Sequence, residues 1–345
     1  MTIKRFVILI TILVIPGAAG ALAYRVAPVY GALEAARSSD GFLGLRLEKG
    51  RISLAGFPLD LHVRLTGAVF TREGPALWRL SADTARLALI PWPFQTLRVD
   101  LGPRSRLVIA DTGEQSRTSF DTSDGSLRLR LDGTGRLSSA GLRLNDLAIT
   151  TPAGEPVAAG QFSLALTFDE DRAHPGQSGG LATTGLHLDA RTLVMPEPAA
   201  RQFALGREVQ KLRLVMTARP GIPRNDRESL AAWRAKDGRL ALDDFSLAWG
   251  PLSVMAEGDM GLDADFRPEG VLETRITGLA PALDILVAAG QIDADDARLT
   301  GLVLGLLSKP EGEGGAPMLT LPLEARQGRL FLGPVALGRL SPLAD

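Results

Sequence analysis

The residues with catalytic potential are few in this 345-residue chain. His62, His174 and His187 are its three imidazoles. His62 stands between Leu61 and Val63, and His187 between Leu186 and Leu188. Both positions predict the wet face of a strand. His174 falls in a charged, Gly-rich loop stretch at 169–180. No His-x-x-x-His or Glu-paired spacing for zinc occurs, and there is no cysteine to supply a thiolate ligand. The chain also lacks a Gly-x-Ser-x-Gly elbow, a Walker loop and a dinucleotide fingerprint behind a strand. Asp293-Ala294-Asp295-Asp296 is missing the central Gly and terminal Glu of a calcium-hand loop, and reads instead as an acidic helix start. Asp263 and Asp265 flank Ala264 and would share one side of a strand. They are the best available carboxylate pair for a hydrolase, and an exposed strand edge explains them equally well.

Composition narrows the classes further. Lys+Arg 38 against Asp+Glu 39 leaves a net charge of −1, and no long basic run appears, which disfavours a polyanion-binding protein. Arginine far outnumbers the five lysines, but it is scattered over alternating polar positions. Gly 38 and Pro 22 argue against a helical bundle, and 45% hydrophobic residues exclude general disorder.

The elements that must carry any site are strands. Leu127, Leu129 and Leu131 alternate with Arg128 and Arg130 between Asp-Gly pairs. Phe162, Leu164, Leu166 and Phe168 repeat the period of two, and Val209, Leu212, Leu214 and Met216 follow it less cleanly. One apolar and one polar side per strand is the signature of antiparallel sheet. A short pattern recurs at 50–59, 238–247 and 328–337, each opening on Gly-Arg, with a degenerate copy at 142–149. Its form is apolar-x-Leu, two turn-type residues, apolar-x-apolar. Two strands joined by a tight turn, or one strand with a bulge, would satisfy it, and its recurrence suggests one β unit reused in a long meander. Helices are predicted at 29–37, 226–236, 280–289 and 293–308, and loops at 169–180 and 310–317. Trp78, Trp92, Trp233 and Trp249 read as indoles capping the rim of a sheet, with a membrane-interface role as the alternative.

At the amino terminus, Lys4 and Arg5 precede an uncharged stretch at 6–23. Eighteen residues at about 1.5 Å each span about 27 Å, enough for a bilayer core. The flanking charge orients the amino terminus to the cytoplasm and the body across the membrane. Pro16-Gly17 and Ala21-Leu22-Ala23 also fit a cleaved signal peptide, so both outcomes stay open on the residues alone. The expected organisation is a membrane segment at 1–25, a first β-rich region at 26–196, and a second at 197–345 continuous with it. The division falls at Pro196-Glu197-Pro198.

Trp249-Gly250-Pro251-Leu252, with Gly238, Phe245, Gly258, Leu262-Asp263 and Gly270 around it, forms a specific pattern. Together with Gly328-Arg329-Leu330 and Leu332-Gly333-Pro334, and with Gly56-Phe57-Pro58 earlier, it resembles a bacterial domain-of-unknown-function family catalogued as DUF-2125. The resemblance implies a single-pass, inner-membrane-tethered protein with a β-rich periplasmic body, and it favours the anchor over cleavage. It implies no catalytic residues. The Gly-x-Leu-x-Leu texture is similar, more loosely, to AsmA and TamB-like envelope proteins, a likeness that implies long antiparallel sheets curled into an apolar groove and phospholipid traffic.

The expectation is therefore a mainly β protein: a long, curved antiparallel sheet, as groove or sandwich, with a few peripheral helices and one amino-terminal transmembrane helix. It is expected to be non-enzymatic and to need no cofactor or metal. The membrane is its partner through the amino-terminal helix. An apolar sheet face would bind a lipid or acyl chain, or dock an envelope protein, and nucleic acid is not a partner. Leu54, Phe57, Leu240, Leu242, Phe245, Leu247, Leu330 and Leu332 are the candidate lining. Trp249, Gly250, Pro251, Gly258, Gly328, Gly333 and Pro334 are the family signature. A closed-core assembly factor for a membrane complex is the alternative, and an envelope hydrolase the remote one.

Overall fold

The computed structural model describes residues 45–55, 62–72, 76–90, 95–111, 117–133, 136–151, 156–169, 183–221, 226–293, 308–310 and 317–343, with Gly31, Glu34, Ala35 and Arg37 ahead of them. The stretch at 6–23, the loop at 170–180, Phe57, Trp92, His174 and most of the helix predicted at 293–308 lie outside the described residues. Among the described residues no helix is long and apolar enough to cross a membrane. The protein is mainly β, and every strand pairing is antiparallel.

The chain divides into two compact units between Gly154 and Glu155, not near residue 196 as the sequence suggests. At 196 the chain forms helix α1 (Glu197–Phe203). The strands either side of it, β10 (Thr183–Val194) and β11 (Glu208–Arg219), pair with each other from Thr184↔Ala218 to Val194↔Glu208. Pro198 sits in the first helical turn, where backbone N–H groups have no intrahelical acceptor, so Pro-Glu-Pro starts a helix instead of marking a linker.

The first unit is a meander of six long strand paths. They are β1 (Leu45–Ala55), β2 (His62–Arg72), β3 (Ala76–Ile90), a path made of β4 (Gln95–Leu101) and β5 (Ser105–Asp111), a path made of β6 (Arg117–Thr122) and β7 (Asp124–Leu131), and β8 (Leu137–Thr150). β4 and β5 both pair with β3, β7 with β4, β6 with β5, and β8 with both β6 and β7. A line of irregularities crosses these strands. It runs through Gly50 in β1, Gly67 in β2, the 102–104 break, Ser123, and Asp146 in β8, where Gly50, Gly67, Arg104 and Asp146 have positive φ. Side chains staple this crease. The Ser105 hydroxyl, buried, donates to the Gly102 carbonyl at 2.9 Å. The Thr122 hydroxyl lies 2.6 Å from the carbonyls of Asp124 and Asn145. Breaks of this kind bend a strand and increase its twist. The core of the unit (Leu47, Val63, Leu65, Ala68 and Ala85) draws on strand segments from both sides of the crease.

The second unit is also a meander. β9 (Val157–Asp169) pairs with β10, β10 with β11, β11 with β12 (Arg239–Trp249), β12 with β13 (Leu252–Leu262), and β13 with β14 (Pro268–Thr277). β14 pairs with β16 (Pro317–Arg326), whose other edge takes β15 (Ser308–Pro310) and β17 (Arg329–Leu332); β18 (Val335–Arg339) follows β17. Helices α2 (Arg227–Ala235) and α3 (Leu279–Ala288) form where the sequence predicts them. The Asp226 carboxylate caps α2 by accepting the Ser229 N–H at 2.8 Å, and Leu230 and Trp233 are its buried residues.

The recurring Gly-Arg pattern does not encode one structure. At 238–247 it is a single strand with a bulge, because Asp243 and Asp244 interrupt the register between Leu242 and Phe245. At 328–337 it is a hairpin, with Gly333-Pro334 joining β17 to β18. Gly333 has φ +55, which a two-residue hairpin turn requires at its first central position, whereas Asp-Asp keeps the chain extended and only bulges it.

Candidate functional site

Register turns the one-sided alternation into a surface. In the second unit the apolar residues of successive strands stand opposite one another in rows. One row runs Leu164–Leu188–Leu214–Phe245–Ala256–Thr274–Leu321. The next runs Leu166–Leu186–Met216–Leu242–Gly258–Leu272–Leu323–Leu332. A third contains Leu212, Leu247, Val254, Ile276 and Leu319, and a fourth contains Ala218, Leu240, Met260, Ala325 and Leu330. The bulge at Asp243-Asp244 is what keeps Phe245, Leu247 and Trp249 on the same side as Leu240 and Leu242. Two residues of β12 are passed while β13 passes one, Glu257.

Burial varies across this face. At its β14–β16 end Leu272, Ile276, Leu319 and Leu321 are buried, and Leu279 of α3 packs against the last three with Leu252, Val254 and Leu332. From β9 to β12 the side chains of Phe162, Leu164, Leu186, Leu188, Leu214 and Leu242 are only half-buried. The face offers little to hydrogen-bond. The buried Thr274 hydroxyl is satisfied by the Leu321 carbonyl at 2.6 Å, and the Trp249 indole N–H donates to the Gly206 carbonyl at 2.9 Å. A ligand with unsatisfied polar groups would lose its water contacts here without replacement.

Six of the eight sequence-predicted lining residues meet on this face: Leu240, Leu242, Phe245, Leu247, Leu330 and Leu332. Leu54 belongs to the first unit, where it opens the row Leu54–Val63–Leu87–Val99–Leu127–Leu142 and is 57% exposed. Phe57 lies outside the described residues. The sequence reading missed the contributions of β9, β10, β11, β13, β14 and β16. Their alternation was legible, but nothing in it said which strand lies beside which.

Asp263, Asp265 and His62 are placed otherwise than expected. Asp263 and Asp265 are in the turn between β13 and β14, not on a strand. The Asp263 carboxylate accepts the Asp265 N–H at 2.8 Å and the Arg267 N–H at 2.9 Å, and Asp265 pairs with the Arg267 guanidinium. The turn itself therefore occupies both carboxylates. His62 is 4% exposed, buried where a wet-face position was predicted, while His187 is exposed as predicted. Two clefts open on the polar side of the second unit. One, of about 120 Å³, is lined by Asp243, Asp244, Glu257, Glu273 and Arg275 together with Phe245, Met255 and Ala256. The other, of about 550 Å³, is lined by Thr217, Arg219, Lys236, Asp237, Arg239 and Asp259. In the first, Arg275 bridges Glu257 at 2.9 Å and Glu273 at 3.3 Å. Among the described residues no group of three or more His, Asp or Glu side chains is arranged to hold a metal ion.

A family described as an uncharacterized protein conserved in bacteria (DUF2125) matches residues 28–341. The chain belongs to this family. No curated protein and no solved structure matches it. In this DUF2125 chain the residues expected as the family signature have structural roles in the second unit. Trp249, 9% exposed, and Gly250-Pro251 make the β12–β13 turn, with the Gly250 N–H donating to the Gln210 side chain at 3.1 Å. Gly258, with φ +147, lets β13 approach β14 so closely that a Cβ there would stand 2.4 Å from the Val271 carbonyl oxygen. Gln327-Gly328 turns β16 into β17, and Gly333-Pro334 turns β17 into β18. Of the tryptophans expected at the sheet rim, Trp249 ends β12, while Trp78 lies within β3 and the buried Trp233 belongs to α2, where it donates to the Pro220 carbonyl at 2.8 Å.

Proposed function

We propose that this is a non-enzymatic protein of the cell envelope, tethered to the inner membrane by residues 6–23, with its body in the periplasm and the apolar face of its second unit binding the acyl chain of a lipid. The observation that carries this reading is the set of aligned apolar rows, half-buried from β9 to β12 and nearly free of hydrogen-bonding groups. A row crossing seven strands covers six spacings of about 4.8 Å, roughly 29 Å. That exceeds the roughly 15 Å that the tails of one leaflet fill. Covering a half-exposed leucine is worth about 1 kcal/mol, so several such contacts support binding, and hydrocarbon is the ligand that gives up no hydrogen bonds on entering. A second reading, a closed-core assembly factor, draws on the fully buried β14–β16 end, which is packed like an ordinary core.

Photo-crosslinking tests the proposal. The full chain is held in lipid nanodiscs containing a phospholipid with a diazirine in its acyl chain, and adducts are mapped by mass spectrometry. Adducts are expected at Leu188, Leu214, Met216 and Leu242, and not at Met255, which lies on the polar side and is 39% exposed. Leu242→Glu should remove them. Adducts confined to 6–23 would sink the lipid reading and leave the assembly reading standing.

A further inference from the structure

The arginines that look scattered in sequence are gathered by register in the first unit. On the polar side of the half carrying β4 and β7, Arg64 of β2 stands opposite Arg86 of β3, and Arg86 opposite Asp100 of β4. Arg98 of β4 stands opposite Arg128 of β7, with Arg130 two residues on. Arg143 of β8 stands opposite Ser126, beside Arg128. All six arginines are exposed. The single strand carboxylate among them, Asp100, is engaged by Arg98 at 2.9 Å. Among the described residues Arg64, Arg86, Arg128 and Arg143 have no ion-pair partner. Across the crease, on the same side of the sheet, the arrangement is the opposite. Arg79 pairs with Glu48 at 3.4 Å, Arg104 with Asp83 at 2.6 Å, and Arg106 with Asp121, whose hydrogen bond and charge raise the Arg106 pKa above its ordinary value. Like charges set directly opposite on neighbouring strands destabilise a sheet. An anionic surface laid over them reverses that penalty.

We propose that this arginine field is a docking surface for the anionic phospholipids of a bilayer. The patch spans five strands, four spacings of about 4.8 Å, or roughly 19 Å. It is borne by sheet, and the neighbouring positions of the same side include Ser53, Thr66, Thr84, Ala88, Thr96, Ser126, Ser139 and Gly141. With no aromatic among them, it lacks the stacking platform that single-stranded nucleic acid uses. Guanidinium groups suit phosphate by their planar fork, and basic residues near an anionic leaflet are each worth about a fivefold gain in binding. The predicted membrane segment lies just upstream of β1 and would hold the first unit beside a bilayer. The surface is separate from the apolar face of the second unit.

The chain has no cysteine, so a single one reports unambiguously. Ser126→Cys within the field and Ser119→Cys across the crease each carry a fluorophore on the full chain. The chain is reconstituted in nanodiscs of phosphatidylcholine alone or of phosphatidylcholine with phosphatidylglycerol, both doped with a headgroup quencher. Quenching of the Ser126→Cys label is expected to rise at least threefold with phosphatidylglycerol. It should fall back in about 1 M salt, where the Debye length is about 3 Å, and in the Arg64→Gln/Arg86→Gln/Arg128→Gln variant with an unchanged circular dichroism spectrum. The Ser119→Cys label should not respond, and Leu242→Glu should leave the effect intact. Equal quenching in the two lipids, persistence in the triple variant, or displacement from the charged discs by duplex DNA at physiological salt would each overturn the proposal.

Discussion

Trp249, expected from the sequence as a signature residue, has a structural role. Its indole fills a position at the end of β12, and its N–H satisfies the Gly206 carbonyl 43 residues away in sequence. Trp249→Phe keeps the ring but leaves that carbonyl without its donor. The urea midpoint of the far-ultraviolet signal should fall by an amount equivalent to about 1–2 kcal/mol. Gly258→Val should cost more, about 3 kcal/mol or above, because the added side chain meets the backbone of β14 and cannot rotate away. If Gly258→Val unfolds at the wild-type midpoint, the close approach of β13 to β14 is not real.

At the scale of the element, the bulge in β12 makes an unusual prediction about deletions. Asp243 and Asp244 both face one residue step of the neighbouring strand, so removing Asp243 leaves Leu242, Asp244 and Phe245 in clean alternation. The apolar side of β12 stays intact. The loss is the Thr217–Asp243 hydrogen bond and the local bend. Removing Ser246 from the regular stretch instead swings Leu247 and Trp249 to the polar side. The Asp243 deletion should therefore fold, with a melting temperature within several degrees of wild type. The Ser246 deletion should be insoluble or unfolded by circular dichroism. The reverse result would mean that the register of β12 is wrong. The same element shows the limit of reading local pattern. The texture of 238–247 recurs at 328–337, yet one is a bulged strand and the other a hairpin. The difference lies in the central pair, since Gly333-Pro334 can reverse the chain in two residues and Asp243-Asp244 does not.

At the scale of the whole molecule, each core cluster draws on one unit: Leu47, Val63 and Leu65 on the first, Ile276, Leu319 and Leu321 on the second. A specific protease site inserted after Gly154 in the full chain should yield, on cleavage, two fragments. Each should keep its strand signal and resist further digestion. Rapid degradation of either would show that it depends on the other. The local rules of this protein are written in its residue types. The period of two makes strands with one apolar side, turn pairs end them, Asp226 starts a helix, and a chain without cysteine forms no disulfide of its own. These follow from each residue's own backbone and solvation preferences. Tertiary structure alone decided which strands are neighbours. That pairing aligned Leu164 with Leu188, Leu214 and Phe245 into a continuous apolar row, drew Arg64, Arg86, Arg98 and Arg128 into one field, and moved the boundary between units from 196 to 154. Alternation says which side a residue occupies, and it carries no information about what stands across from it. Register, set by turns and bulges along the whole chain, supplies that.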